Sequence, residues 1–143
     1  MFAYIKGELA EKTQNYVVID VNGIGYQIFV SELAISQIGE VGSIVKLHTY
    51  YYVREDLICL YGFLNREELR MFELLLSVSG IGAKLAIATL SNITPSSFAL
   101  AVITDNVATL TKIPGVGRKT AQRLILELKD KIKTEEAVAK APE

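Results

Sequence analysis

The stretches "SGIGAKLA" (Ser79–Ala86) and "PGVGRKTA" (Pro114–Ala121) decide how the second half of this chain is read. Each holds a glycine, a β-branched residue and a second glycine, and each reaches a lysine, Lys84 or Lys119, two residues past that second glycine. The copies lie 35 residues apart, each between an apolar helical turn and a helix-forming run. This pattern predicts a helix, a tight Gly-x-Gly hairpin and a helix, repeated. Glycine permits positive φ and lets another backbone approach without a Cβ in the way. The amides that open the second helix have no intrahelical partner and carry the positive end of its dipole. Such a loop is an anion site, with Lys84 and Lys119 placed to supplement the amides, and phosphate is the natural ligand. A lone Gly-x-Gly between helices is as readily a plain tight corner. Two copies with a lysine at the same offset are harder to dismiss, and two phosphate sites at fixed separation suit the two strands of a duplex, held by their backbones without reading bases.

Working outward, the helix after the second loop is expected from about Arg118 to Lys133, with Ala121, Leu124, Ile125, Leu128 and Ile132 on one face. From about residue 134, "EEAVAKAPE" loses that pattern and reads as a linker or frayed end. "NVATLTKI" is the first helix of the second copy. Earlier helix starts fall at "NREE", with Asn65 as cap and Glu68 at the third helical position, at Thr94 followed by Pro95, and at Asp105. Before Phe63 the pattern is different. "FAYIKGEL", "YVVIDV", "YQIFV", "IVKLHTYYYV" and "LICLYGF" are short runs rich in Val, Ile, Tyr and Phe, separated by glycine and acidic turns, and predict five strands. Asn22-Gly23 is a strong hairpin signal, because a two-residue I′ turn needs positive φ at both positions. "SELAISQIG" predicts a short helix capped by Ser31 and stopped at Gly39. Five strands with a helix after the third point to a small OB-like barrel. The expected architecture is therefore an all-β domain over residues 1–64 and an all-α domain over 65–143 that carries both hairpins.

The net charge is −1, which by itself argues against a nucleic-acid partner. The average conceals an asymmetry. Residues 1–63 carry 4 Lys and Arg against 7 Asp and Glu, whereas residues 64–143 carry 11 against 9. Lys112, Arg118, Lys119 and Arg123 lie within twelve residues that contain no acid, so positive charge gathers around the second loop. Half the residues are hydrophobic, yet no apolar run approaches the roughly 18 residues of a membrane span. Charge at Lys6 and Glu8 interrupts any signal-peptide-like stretch, which makes a cytoplasmic location the expectation. The single cysteine, Cys59, cannot form an intrachain disulfide and is expected to be a buried free thiol.

The paired hairpins are similar to helix-hairpin-helix DNA-binding motifs. Together with "YIKGEL", "NGIGY" and "REDLICLYGF" they make the whole chain resemble the RuvA family, Holliday-junction-binding subunits of the bacterial branch-migration complex. The resemblance implies an OB-like barrel followed by a tandem-hairpin domain, and a homotetramer around the crossover, or an octamer on DNA, each arm lying along one subunit. It implies phosphate contacts at Gly80, Gly82, Lys84, Gly115, Gly117, Arg118, Lys119 and Arg123. It also implies a third domain, beyond a flexible linker, that engages the RuvB ATPase motor; this chain ends where that linker would begin, so the motor contact is expected in the part missing here. "REDL" gains a meaning as well. By composition Arg54, Glu55 and Asp56 form a charged, solvated turn. In the family the acidic pair projects as a pin at the fourfold centre, where eight carboxylates would repel phosphates and keep strands apart.

Other residues carry less. Tyr50 and Tyr52 share one strand face and Tyr51 the other; such rings can stack bases on a barrel, but core and subunit packing is the expected role. His48 is the only histidine, so neither a histidine metal site nor a serine triad can be built around it. No Walker A sequence is present, no cofactor is expected, and a glycosylase or nuclease would need a carboxylate beside a hairpin, for which Asp105 is the one weak candidate. A non-catalytic junction-binding subunit leads; a helix-hairpin-helix repair enzyme and a protein-binding scaffold are the alternatives.

Overall fold

The computed structural model describes residues 1–140, which divide into two compact units, Met1–Arg70 and Met71 onward. The first is built from β1 (Tyr4–Lys12), β2 (Tyr16–Val21), β3 (Ile24–Phe29), α1 (Glu32–Gln37), β4 (Ile44–Arg54) and β5 (Leu57–Phe63). The strands close into a barrel in the order β1-β2-β3-β5-β4, with β4 returning to β1 and β3 pairing parallel to β5. This is the expected five-stranded OB-like topology. Closure removes the sheet edges, and alternate residues point inward: Ile5 and Leu9 from β1, Val17 and Ile19 from β2, Ile28 from β3, Val45 and Leu47 from β4. A shift in register between Leu9 and Glu11 lets β1 bend between its partners β2 and β4. Ala34 of α1 and Ile38 just after it join the same core.

Local chemistry accounts for the turns. Asn22 (φ 52°) and Gly23 (φ 90°) form the two-residue turn between Val21 and Ile24, and Asp20 accepts a hydrogen bond from the Gly23 amide. The Ser31 hydroxyl accepts from the Ala34 amide at the start of α1, and Gly39, at φ 102°, ends the helical turn. β3 begins at Ile24, two residues before the expected "YQIFV", because the tight turn allows pairing to resume at once.

The helices are α2 (Arg66–Leu76), α3 (Ala83–Asn92), α4 (Pro95–Ile103), α5 (Val107–Thr111) and α6 (Arg118–Lys140). The Asn65 side chain accepts from the Glu68 amide, while the Glu68 carboxylate reaches back to the Leu64 amide, a reciprocal cap displaced by one residue from the usual box. Thr94 caps α4 with Pro95 in its first turn, as the sequence implies. The start at Asp105 is corrected: Asn106 supplies the cap, accepting from the Thr109 amide, while Asp105 occupies the left-handed region at φ 55° that short polar residues tolerate. The end of α6 is also corrected, since the helix continues past Lys133 to Lys140. Glu, Ala and Lys propagate a helix well even without an apolar stripe, and no breaker precedes Pro142. The remainder of the expected tail, residues 141–143, lies outside the described residues. No single helix among the described residues is long and apolar enough to cross a membrane.

Candidate nucleic-acid interface

The two loops fold alike. In the first, the Val78 carbonyl accepts from the Ile81 amide at 3.1 Å; in the second, the Ile113 carbonyl accepts from the Val116 amide at 3.0 Å. The third residue of each four-residue turn is the first glycine, Gly80 at φ 88° and Gly115 at φ 89°. A positive φ at that position with a closing hydrogen bond defines a type II turn, and Pro114 at the second position is preset for it. Val78, Ile81, Ile113 and Val116 are all buried, so each hairpin is pinned to the core by the residues flanking and following its turn.

The second glycines are required for a different reason. Gly82 has φ −97° and ψ 176°, extended backbone open to any residue. A Cβ built on Gly82 or on Gly117 meets nothing within 4 Å. Neither the backbone nor the packing of the chain demands glycine there, so the space it leaves is available to something outside the chain. That space adjoins free donors. The Gly82 carbonyl accepts from Ala86, and the Gly117 carbonyl from Ala121. The amides of Ala83, Lys84 and Leu85, and those of Arg118, Lys119 and Thr120, consequently have no intrahelical partner. Lys84 and Lys119 are exposed second residues of α3 and α6. Arg118, exposed, stands where the first copy has the buried Ala83, so the second site carries more charge.

Arg123 is placed differently from the other candidates. Its Nη1 donates to the Ser79 carbonyl at 3.1 Å, and its Nε lies 4.0 Å from the Glu127 carboxylate. It therefore reaches from the helix of the second motif to the turn of the first, a partnership between residues 44 apart that periodicity could not signal. A reciprocal contact runs the other way: a Cβ on Gly115 would stand 3.0 Å from Leu85 Cδ1 of α3. Lys131 donates to the Ser77 hydroxyl, and Lys129 pairs with Asp105 at 2.8 Å. Asp105, the one carboxylate considered for catalysis, is thus held by a lysine in the turn between α4 and α5.

In the barrel unit, Arg54 pairs across from Leu57, leaving Glu55 and Asp56 as a two-residue tip between β4 and β5. Both are exposed, as are Val53, Leu57 and Ile58 directly behind them. Val53 and Ile58 face each other across the two strands, and their exposure was not evident from the strand pattern alone. The Arg54 guanidinium turns back over the Tyr52 ring at 4.3 Å. Tyr52 is buried and meets Tyr61 edge to face at 5.6 Å, while Tyr51, half-buried, meets Phe2. His48 is half-buried on β4, opposite Tyr4 on β1 and Phe63 on β5. Cys59 is half-buried rather than buried, because it sits on the partly open end of β5; burial still pushes its thiol pKa up, opposed by its hydrogen bond with Tyr61. Burial, reinforced by Cys59 and Tyr52, pushes the Tyr61 phenol up to about 12. Among the described residues no cluster of His, Cys, Asp or Glu could hold a metal ion.

Comparison with known proteins agrees with this geometry. Residues 1–62 match the family model for the RuvA N terminal domain, and residues 72–130 match the SAM-like helix-hairpin-helix tandem. The Holliday junction branch migration complex subunit RuvA of Acetivibrio thermocellus is 61% identical over 136 residues, 95% of this chain and 67% of that protein. The proteins of the same name from Ruminiclostridium cellulolyticum and Lachnospira eligens are 51% and 48% identical, covering 99% of this chain and 71% and 68% of their own lengths. This chain accordingly spans about two-thirds of the length of these relatives. A closed five-stranded barrel, a tandem of matched hairpins and identities of this size over nearly the full chain have one reading: the chain belongs to the RuvA family.

Proposed function

We propose that the chain is a non-catalytic subunit that binds four-way DNA junctions through sequence-independent phosphate contacts and supports branch migration by an ATPase partner in recombination and repair. The observation that carries this reading is the pair of hairpins whose second glycines leave open space beside unpartnered helix-opening amides. The proposed phosphate ligands are the backbone at Gly80, Gly82, Gly115 and Gly117 with the side chains of Lys84, Arg118 and Lys119. Helix-opening amides and adjacent cations hold a phosphate oxygen without reading bases, so recognition rests on where the phosphates lie, which is a property of junction shape. Domain limits of 1–64 and 65–143 are proposed to separate the acidic barrel from the hairpins.

One chain offers two phosphate sites and a junction has four arms, so a closed fourfold assembly is the economical match. In such an assembly Glu55 and Asp56 of four chains converge as a pin that repels backbones at the crossover. The motor partner is proposed to be a RuvB-type ATPase, reached through the part of the relatives' length that this chain does not span, and the location cytoplasmic. A gel-shift comparison of a four-way junction with a linear duplex of equal length tests the reading. Preferential retardation of the junction, unchanged by its base sequence, is the expected result. Equal binding of both, or turnover of the DNA without a partner, would favour a repair enzyme, and no DNA binding at all a protein scaffold.

A further inference from the structure

We infer that Arg123 is a positioning residue that sets the distance between the two phosphate sites, rather than a ligand of phosphate in its own right. The helix that opens the second site also grips the first: Arg123, about one turn along α6 from Lys119, donates from Nη1 to the Ser79 carbonyl at 3.1 Å. The guanidinium lies against the first turn closely enough that a Cβ on Gly80 would come within 3.4 Å of Nη1. Two turns further along, Lys131 donates to the hydroxyl of Ser77, just before the same hairpin, at 3.3 Å. Glu127 stands between them on the same stripe, its carboxylate 4.0 Å from Arg123 Nε. Together with Leu85 beneath Gly115, these contacts interlock the motifs in both directions.

The consequence follows from the rigidity of the target. Phosphates on a duplex stand at fixed spacings, so two sites on one chain act together only when their own spacing matches. A helix whose N-terminus forms one site and whose second turn holds the other converts two loops into a rigid two-point clamp. A charge exposed on the surface could serve either role, but only the bridge requires the hydrogen-bonding reach of arginine toward a main-chain carbonyl.

The test uses Arg123→Met and the milder Arg123→Gln, with Lys119→Met as comparator for a phosphate ligand. In free protein, spin labels at Lys84→Cys and Lys119→Cys on a Cys59→Ser background report the distance between the sites. In unlabelled protein, junction affinity is measured across salt concentrations. The expected result for Arg123→Met is a broadened distance distribution, an affinity lower by on the order of tenfold, and a salt slope equal to that of the parent, whereas Lys119→Met lowers the slope by about 0.9 per lost contact. A parent-width distribution in both Arg123 variants, or a slope that falls as for Lys119→Met, overturns the inference. The inference rests on the phosphate-site reading. Failure of the parent chain to bind junctions would refute that reading, while the distance measurement in free protein would still decide the bridge.

Discussion

Substituting the glycines of the second hairpin one at a time separates folding from binding. Gly115 stands at φ 89°, and a Cβ there would lie 3.0 Å from Leu85 Cδ1. The left-handed region costs a non-glycine residue about 1–2 kcal/mol, and displacing Leu85 adds to it, so Gly115→Ala should destabilise the helical unit by about 2 kcal/mol. At about 4–8 °C per kcal/mol for a unit of this size, the melting temperature should fall by on the order of 10 °C. Gly117 has neither constraint, since its Cβ meets nothing within 4 Å. Gly117→Val should therefore cost no more than the roughly 1 kcal/mol that separates a good helix-capping residue from a poor one. The cost to binding is inverted. An isopropyl group beside the Arg118 and Lys119 amides occludes an approaching phosphate, and one charge-assisted hydrogen bond is worth about 1.5–3 kcal/mol, or about ten- to a hundredfold in affinity. Thermal melts followed by circular dichroism and gel shifts on a four-way junction at 0.1 M salt measure both. Gly117→Val protein that melts within a few degrees of the parent and binds junctions equally well would refute the phosphate site; Gly115→Ala protein as stable as the parent would refute the division of roles between the two glycines.

Lys84→Ala and Lys119→Ala should each weaken junction binding and flatten its salt dependence by up to about 0.9 log units per lost phosphate contact, with no change in preference for base sequence, as read from affinities between 50 and 200 mM salt. Neutralising the tip as Glu55→Gln with Asp56→Asn should hold or raise affinity for DNA while lowering the preference for junction over duplex, and the effect should shrink as salt shortens the Debye length from about 10 Å at 0.1 M; parallel losses on both substrates would leave the tip a plain solvated turn. The Tyr61 phenol is raised to about 12 from an ordinary 10, so the folded state holds its proton more tightly than the unfolded state does. Its contribution to stability is then complete below pH 10 and is lost as pH climbs from 10 through 12, and Tyr61→Phe should flatten denaturation curves measured across that window.

How much of this was legible in the sequence depends on the range of the interaction. Ser31 and Thr94 each accept from an amide three residues on, and Asn22-Gly23 turns the chain in place, so these caps and this turn were readable because sequence and contact are nearly the same thing at that distance. The paired hairpins were readable because the motif is repeated. What lay beyond reach was the distinct demand on each glycine, since "GIG" and "GVG" look symmetrical until φ and the surrounding space are known; only Pro114, suited to the second position of a type II turn, hinted at it. The engagement of Arg123 with Ser79 lies 44 residues away and leaves no local trace, so its cationic neighbourhood pointed to phosphate alone. The stop placed near Lys133 weighed the loss of an apolar face more heavily than helix propensity, and the chain follows propensity to Lys140. The strand pattern alone does not say which residues of β4 and β5 face water, and at the β4–β5 hairpin Val53, Leu57 and Ile58 are exposed, Ile58 being 64% accessible.

The central claim is that several copies of this chain clasp one four-way junction through paired phosphate sites. Sedimentation of the chain with a labelled four-way junction, against a linear duplex of equal length and at one fixed salt concentration, tests it most directly because a single titration gives both stoichiometry and preference. Saturation is expected at four chains per junction, or eight in a double layer, with the duplex displaced by competing junction. Saturation at one chain per junction, or equal occupancy of duplex and junction throughout the titration, would contradict it.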